Sequence, residues 1–357
     1  MRQPIVYLAW GLTVLLLGIT SIQAQTLSSC VPSPPLPPNP KPGVSDLTVS
    51  RDGKTLIVAG GDAKIRFIDL KTGEVTRTLL GHTNAVYTTK FTHDEKLMAS
   101  SSRDLTARVW DVASGRELRQ LSGFRCAVKA VAFSPGEQII AASGNDGMLK
   151  IWDVKTGTEL KSLVHRNDAD IDMSTYAFAF SRDGKKIYAA NGDGTISEWD
   201  VDAGKEIKSW KAHDDFVYRL MFSPDYKLLA SFGGSVVKLW DTSTGREVMT
   251  LPMPETAGIE TRASALAFSH DGQLIAASNI GIDTRQNSYA YIRAMVWRVK
   301  TGEKMFTLEG QRFDINGLVF TRDDRFLLTG SVDTTVWFWD MKTGQKARML
   351  MLNSPTK

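Results

Sequence analysis

Trp110-Asp111-Val112-Ala113-Ser114-Gly115 decides the architecture, because its pattern is written seven times along the chain. Trp152-Asp153, Trp199-Asp200, Trp240-Asp241 and Trp339-Asp340 are followed at the same distance by Gly157, Gly204, Gly245 and Gly344. Ile68-Asp69 with Gly73 and Trp297-Arg298 with Gly302 keep the spacing with one letter changed. A glycine there supplies the positive φ that a short hairpin loop needs. Counted from position 68, the intervals between copies are 42, 42, 47, 41, 57 and 42 residues. Self-similarity at this period marks a repeat architecture.

A second marker precedes each copy by about sixteen residues. It is a turn between two apolar runs, as in Ser50-Arg51-Asp52-Gly53, Ser134-Pro135-Gly136-Glu137 and Ser269-His270-Asp271-Gly272. Asp and Ser bond nearby backbone in such turns, and Gly relaxes φ. Between the markers lie short segments such as Ala130–Phe133, Ile139–Ser143 and Leu149–Trp152, rich in β-branched, aromatic and small apolar residues. Each unit therefore reads as four short antiparallel strands. Seven units in a ring bury a continuous core and leave only short sheet edges.

The pattern resembles the WD40 family of β-propellers from Val44 to about Leu352. The resemblance implies an all-β fold of seven contiguous four-stranded blades, with no strand borrowed from the N-terminus. It also implies a buried hydrogen-bonded tetrad, which repeat 2 spells in full as His82, Ser102, Asp104 and Trp110. Other repeats depart from it. Repeat 7 has Ser331, Asp333 and Trp339 but Gln311 for the histidine; repeats 1, 3 and 4 keep Asp62, Asp146 and Asp193 without the serine. Repeat 5 has His213 but Gly234 in the aspartate position, and repeat 6 has neither.

Residues 1–24 read as a targeting segment: Arg2, an apolar run from Ile5 to Leu17, then Ile22-Gln23-Ala24 as a small-residue cleavage site. A periplasmic or secreted protein is expected. An uncleaved anchor is the alternative. Leu27-Ser28-Ser29-Cys30 resembles a bacterial lipobox, giving a further reading in which Cys30 carries lipid. Cys30 and Cys126 are the only cysteines, too few and too far apart for a disulfide framework or a CxxC site. Cys126 is expected to be a small buried hydrophobe. Residues 25–43 form a linker; seven prolines between Val31 and Pro42 favour an extended spacer. Residues 353–357 are a tail.

The copies differ where function is expected. The steps into repeats 4 and 6 are each five residues longer than the others, before the inner strand. Repeat 6 carries ten more residues near Ile280–Tyr289, in the loop joining its second and third strands. In the family's topology these loops share one face, called the top. They are expected to wall a notch that binds a protein or peptide partner. One wall would hold Arg166, Asp168, Asp170 and Asp172; the other Glu255, Glu260, Arg262, Arg285, Asn287, Tyr289 and Tyr291. Phe216 and Tyr218 would form the floor. Tyr and Arg are favoured interface anchors.

The net charge is +4 without a basic run, so there is no nucleic-acid footprint. Asp168-Ala169-Asp170-Ile171-Asp172 alternates carboxylates but lacks the glycine and terminal glutamate of a calcium loop. No catalytic serine, phosphate loop or metal-ligand motif appears, and no cofactor or metal is expected. The reading is a non-enzymatic interaction platform outside the cytoplasm. The alternatives are a channel-based enzyme or ligand binder of the lactonase type, and an envelope-assembly propeller.

Overall fold

The computed structural model describes residues 36–37, 40–165, 174–254, 259–283, 285–286 and 288–352. The targeting segment, Cys30 and the tail 353–357 lie outside the described residues, as do Arg166, Asp168, Asp170, Asp172, Glu255 and Asn287.

Twenty-eight strands, β1–β28, form seven four-stranded sheets, each an antiparallel meander in chain order. The inner strands are β1 (Val44–Val49), β5 (Val86–Phe91), β9 (Val128–Phe133), β13 (Thr175–Phe180), β17 (Val217–Phe222), β21 (Ile259–Phe268) and β25 (Ile315–Phe320). Each touches the next, and β1 touches β25, so the ring closes. The last blade is completed by β28 (Lys346–Met351), from its own repeat. The chain is a seven-bladed β-propeller.

The hairpin letters do what their chemistry requires. The Asp of each Trp-Asp pair accepts backbone N–H groups within its turn, as Asp111 Oδ1 does from Ser114 N at 2.7 Å. All seven turn glycines have φ between 66° and 81°. Apolar residues fill seven clusters, one in each gap between neighbouring blades. The seam between blades 7 and 1 is one of these, with Val44 and Leu47 packed against Leu328, Val336 and Phe338.

Two expectations need correction. Cys126 is buried, but it is disulfide-bonded rather than a plain hydrophobe. The extra residues of repeat 6 are strand rather than loop. There β21, β22 (Leu274–Asp283) and β23 (Ser288–Arg298) run 10, 10 and 11 residues. Pairing continues through Gly281↔Tyr291 to Asp283↔Ser288, so blade 6 extends above its neighbours as a three-stranded tongue. The added segment caps its own turn, with Asp283 Oδ1 accepting from Arg285 N at 3.0 Å. Unmet backbone groups are thereby paired.

Candidate functional site

Every inner strand carries a bulge, at its second residue in six strands and at the sixth in the longer β21: Ser45, Tyr87, Lys129, Tyr176, Tyr218, Ser264 and Asn316 are skipped in the pairing. A bulge re-aims a side chain and bends the strand. These seven positions lie at one mouth of the ring. Lys129 Nζ stands 4.2 Å from the Tyr87 ring centroid. Tyr176 and Tyr218 meet at 5.3 Å between centroids, and Phe216 completes a triangle at 5.9 and 5.7 Å. Phe216 and Tyr218, expected as a floor, are thus together, and Tyr176 joins them.

The tongue holds the second group. Arg262 bonds Glu260 at 2.7 Å. Burial works against the Arg262 charge, but Glu260, Tyr218 and Asp314 raise its pKa overall, which places it beside both other residues. Tyr289 and Phe313 face each other edge-on at 6.1 Å and are 45% and 46% exposed. Asp314 follows Phe313 and leads into β25. Burial pushes its carboxyl up, against the Tyr289 hydroxyl and Arg262. One of its oxygens is buried with no hydrogen-bond partner among the described residues. Burial and this carboxylate push the Tyr289 phenol up to about 12. Arg285 is exposed at the tip, 3.3 Å from Asp283.

Tyr291 is a brace rather than a contact. Its hydroxyl bonds Thr261 at 2.6 Å, its ring covers Gly281, and Arg293 stacks on it at 3.8 Å. Asp314, Phe313 and Tyr176 were missed. Asp314 looks like another turn aspartate, and nothing in the letters distinguishes a bulged tyrosine from a paired one.

Beneath this face, the polar networks hold hairpins. In blade 2, His82 Nδ1 meets Asp104 at 2.8 Å, Nε2 meets Ser100 Oγ at 2.7 Å, and Trp110 donates to Ser100 Oγ at 2.8 Å. The serine is therefore Ser100, not Ser102 as expected. Trp110 is paired with Met98, and Ser100 is the next residue on the same strand face. Ser102 lies two residues further on and donates to Asn84 O at 3.0 Å. Burial opposes the Asp104 charge, yet His82 holds it well below the usual carboxylate range. Blade 7 repeats the wiring in other letters: Trp339 donates to Thr329, which donates to Gln311 Oε1 at 2.6 Å. In blade 4, His165 is buried between Asp193 at 3.3 Å and Glu206 at 3.1 Å. The Asp193 bond raises its pKa against burial. Among the described residues, no cluster of three or more His, Cys, Asp or Glu could hold a metal ion.

The fold is a closed ring of seven four-stranded blades with aromatic side chains clustered at one mouth. The chain belongs to the WD domain, G-beta repeat family, WD40, whose model matches residues 73–111, 115–153, 158–200, 204–241 and 302–340, more than half of the chain. It is 29% identical over 143 residues to Protein tipD of Dictyostelium discoideum, covering 40% of this chain and 21% of that protein. It is 24% identical over 140 residues to the B-type cell cycle switch protein ccs52A of Medicago truncatula, covering 38% and 26%. Protein FIZZY-RELATED 1 of Arabidopsis thaliana matches at 24% over 140 residues, again covering 38% and 26%. The chain thus spans about a quarter of the length of these curated relatives.

Proposed function

We propose that this propeller is a non-catalytic platform, exported from the cytoplasm, that binds a protein or peptide partner over blades 4 to 7. The observation that carries the reading is the tongue. Among the described residues it breaks the seven-fold regularity with paired strands, and it brings exposed Tyr289 to exposed Phe313. Exposed paired aromatics on a rigid element are the usual anchors of an interface. Glu260, Arg262, Phe216 and Tyr218 supply the adjoining polar and aromatic surface. In this reading Arg166, Asp168, Asp170 and Asp172 would form one wall of the notch, and Arg285 and Asn287 would belong to the other. The partner-binding reading also agrees with the relatives, of which one is named a cell cycle switch protein.

Export rests on the targeting segment and on the disulfide at Cys126, since such bonds persist in oxidising compartments. The test is affinity capture with the mature protein beside a Tyr289→Ala/Phe313→Ala variant. A partner held by the first and lost by the second, with the melting temperature unchanged, is the expected result. Equal capture by both removes the tongue from the interface. Cell fractionation tests the export separately.

A further inference from the structure

Beyond each bulge the inner strand rejoins its ladder at one shared register position. It is held by Asp46, Thr88 and Arg219, and by the small residues Ala130, Ala177, Ala265 and Gly317. The inner strands are edge strands of their sheets and stand around the axis of the ring. Arg219 is thus the one long side chain in a layer of short ones, next to the mouth position Tyr218. It is partly exposed. Burial nevertheless pushes its pKa below the ordinary arginine value, against the charge of Asp46. A side chain that meets solvent while walled by protein lies in the central channel. Among the described residues its guanidinium makes one hydrogen bond, from Nη1 to Tyr218 O at 3.0 Å, which leaves most of its donors unused. Asp46 does not quench it. That carboxylate accepts the Thr89 N–H at 3.1 Å and stands 3.9 Å from Lys90 Nζ.

We propose that the central channel binds a carboxylate, held on two prongs by the Arg219 guanidinium. The planar fork matches a carboxylate, and paired charge-assisted bonds of this kind are strong. The protein walls lower the local dielectric, so an arriving anion is attracted more than it would be in water. An enclosed cation with a single backbone partner is costly to keep, and an anion relieves that cost. The alanines and the glycine of the same layer leave room beside the guanidinium. One cation with Asp46 in its field suits a single negative charge; a phosphate dianion would turn its surplus charge towards Asp46.

Two sources present this group: a free organic acid, and an acidic side chain of a protein seated over the mouth. Binding of a free acid needs no partner, so the site stands or falls separately from the tongue. Tyr289 and Phe313, which carry the partner-binding reading, lie outside the layer of Arg219.

The test titrates the whole chain with benzoate and with benzamide, its uncharged isostere, following Tm and the heat of binding. Benzoate should raise Tm as its concentration rises, while benzamide and inorganic phosphate at the same concentrations should not. Arg219→Lys keeps the charge and loses the fork, and should weaken benzoate binding about 10-fold. Arg219→Met should weaken it by up to about 100-fold. The methionine variant should fold, because an apolar stem replaces an enclosed charge; should it not, the lysine variant carries the comparison. No response to benzoate, equal responses to benzoate and benzamide, tighter binding of phosphate, or unchanged benzoate affinity in the Arg219 variants overturns the proposal. Benzoate added to a captured partner separates the sources. Release means that an acidic side chain of the partner fills the site; joint binding assigns the site to a free acid.

Discussion

Ser100 Oγ links two side chains that have no other partner for the same atoms. Asp104 can only accept, so in the neutral ring His82 Nδ1 carries the proton and Nε2 accepts from Ser100, while Trp110 donates to the same oxygen. Removing that hydroxyl leaves two buried groups unpaired. Ser100→Ala should cost about 2–3 kcal/mol and Ser102→Ala about 1 kcal/mol in chemical denaturation. Trp110→Ala, at a side chain 1% exposed, should cost about 3–5 kcal/mol. Equal losses at the two serines would contradict the wiring. His213 gives a pH signature. It bonds Ser231 through Nε2 at 2.7 Å, but Nδ1 is unpaired among the described residues. Burial, with help from Lys238, lowers its pKa from 6.5 to about 4. The unfolded chain takes the proton first, so stability is lost as pH falls from 6.5 towards 4, by at most about 3 kcal/mol. A His213→Gln variant should show a flatter stability profile across that window. At this scale the Trp, Asp and Gly letters were fully legible. The tetrad serine was not, because Ser100-Ser101-Ser102 is a run of three and only strand register selects among them.

The tongue shows where repeat spacing misleads. Counting gave the right position and the right number of extra residues, and the wrong state. An insertion whose two arms pair with each other, as Ile280↔Ile292 through Asp283↔Ser288 do, extends the hairpin it interrupts. Gly281 permits this extension to carry Tyr291, since a Cβ there would lie 2.4 Å from the ring. At the tongue's base, Asp314 carries an energetic cost that binding could relieve. Its folded pKa is raised, so the bare carboxylate destabilises the protein above that value, and the penalty fades as pH falls towards the ordinary value of 3.8. Asp314→Asn should therefore be about 1 kcal/mol more stable than the parent at pH 7, and no more stable in acid below that ordinary value. Greater stability that persisted in acid would assign the gain to packing instead.

For the molecule as a whole, closure is the demanding step, since every blade leans on two neighbours and the last must meet the first. The seam is close. Cβ atoms at Gly330 and Gly317 would lie 2.5 Å from Val44 and 2.7 Å from Leu47. Gly330→Val should therefore cost about 1–3 kcal/mol and broaden the thermal transition, whereas the same change at exposed Gly136, which has open space around it, should be far milder. The ring, its blade count and its self-contained last blade were legible because they rest on repetition. The mouth was not. A bulge leaves no letter of its own, and the residues it turns out are ordinary strand residues by composition.

That mouth also bears on how such a molecule can change. Seven skipped positions, from Ser45 round to Asn316, share one irregularity of pairing and already hold serine, tyrosine, lysine and asparagine. They take no part in the pairing ladder of their strands. A substitution at one of them rewrites the chemistry of the opening at one hour of a dial and reaches only the neighbour it packs against, as Tyr176 meets Tyr218 and Lys129 meets Tyr87. Descendants of such a ring could exchange one binding target for another in single steps, each survivable, without renegotiating the framework.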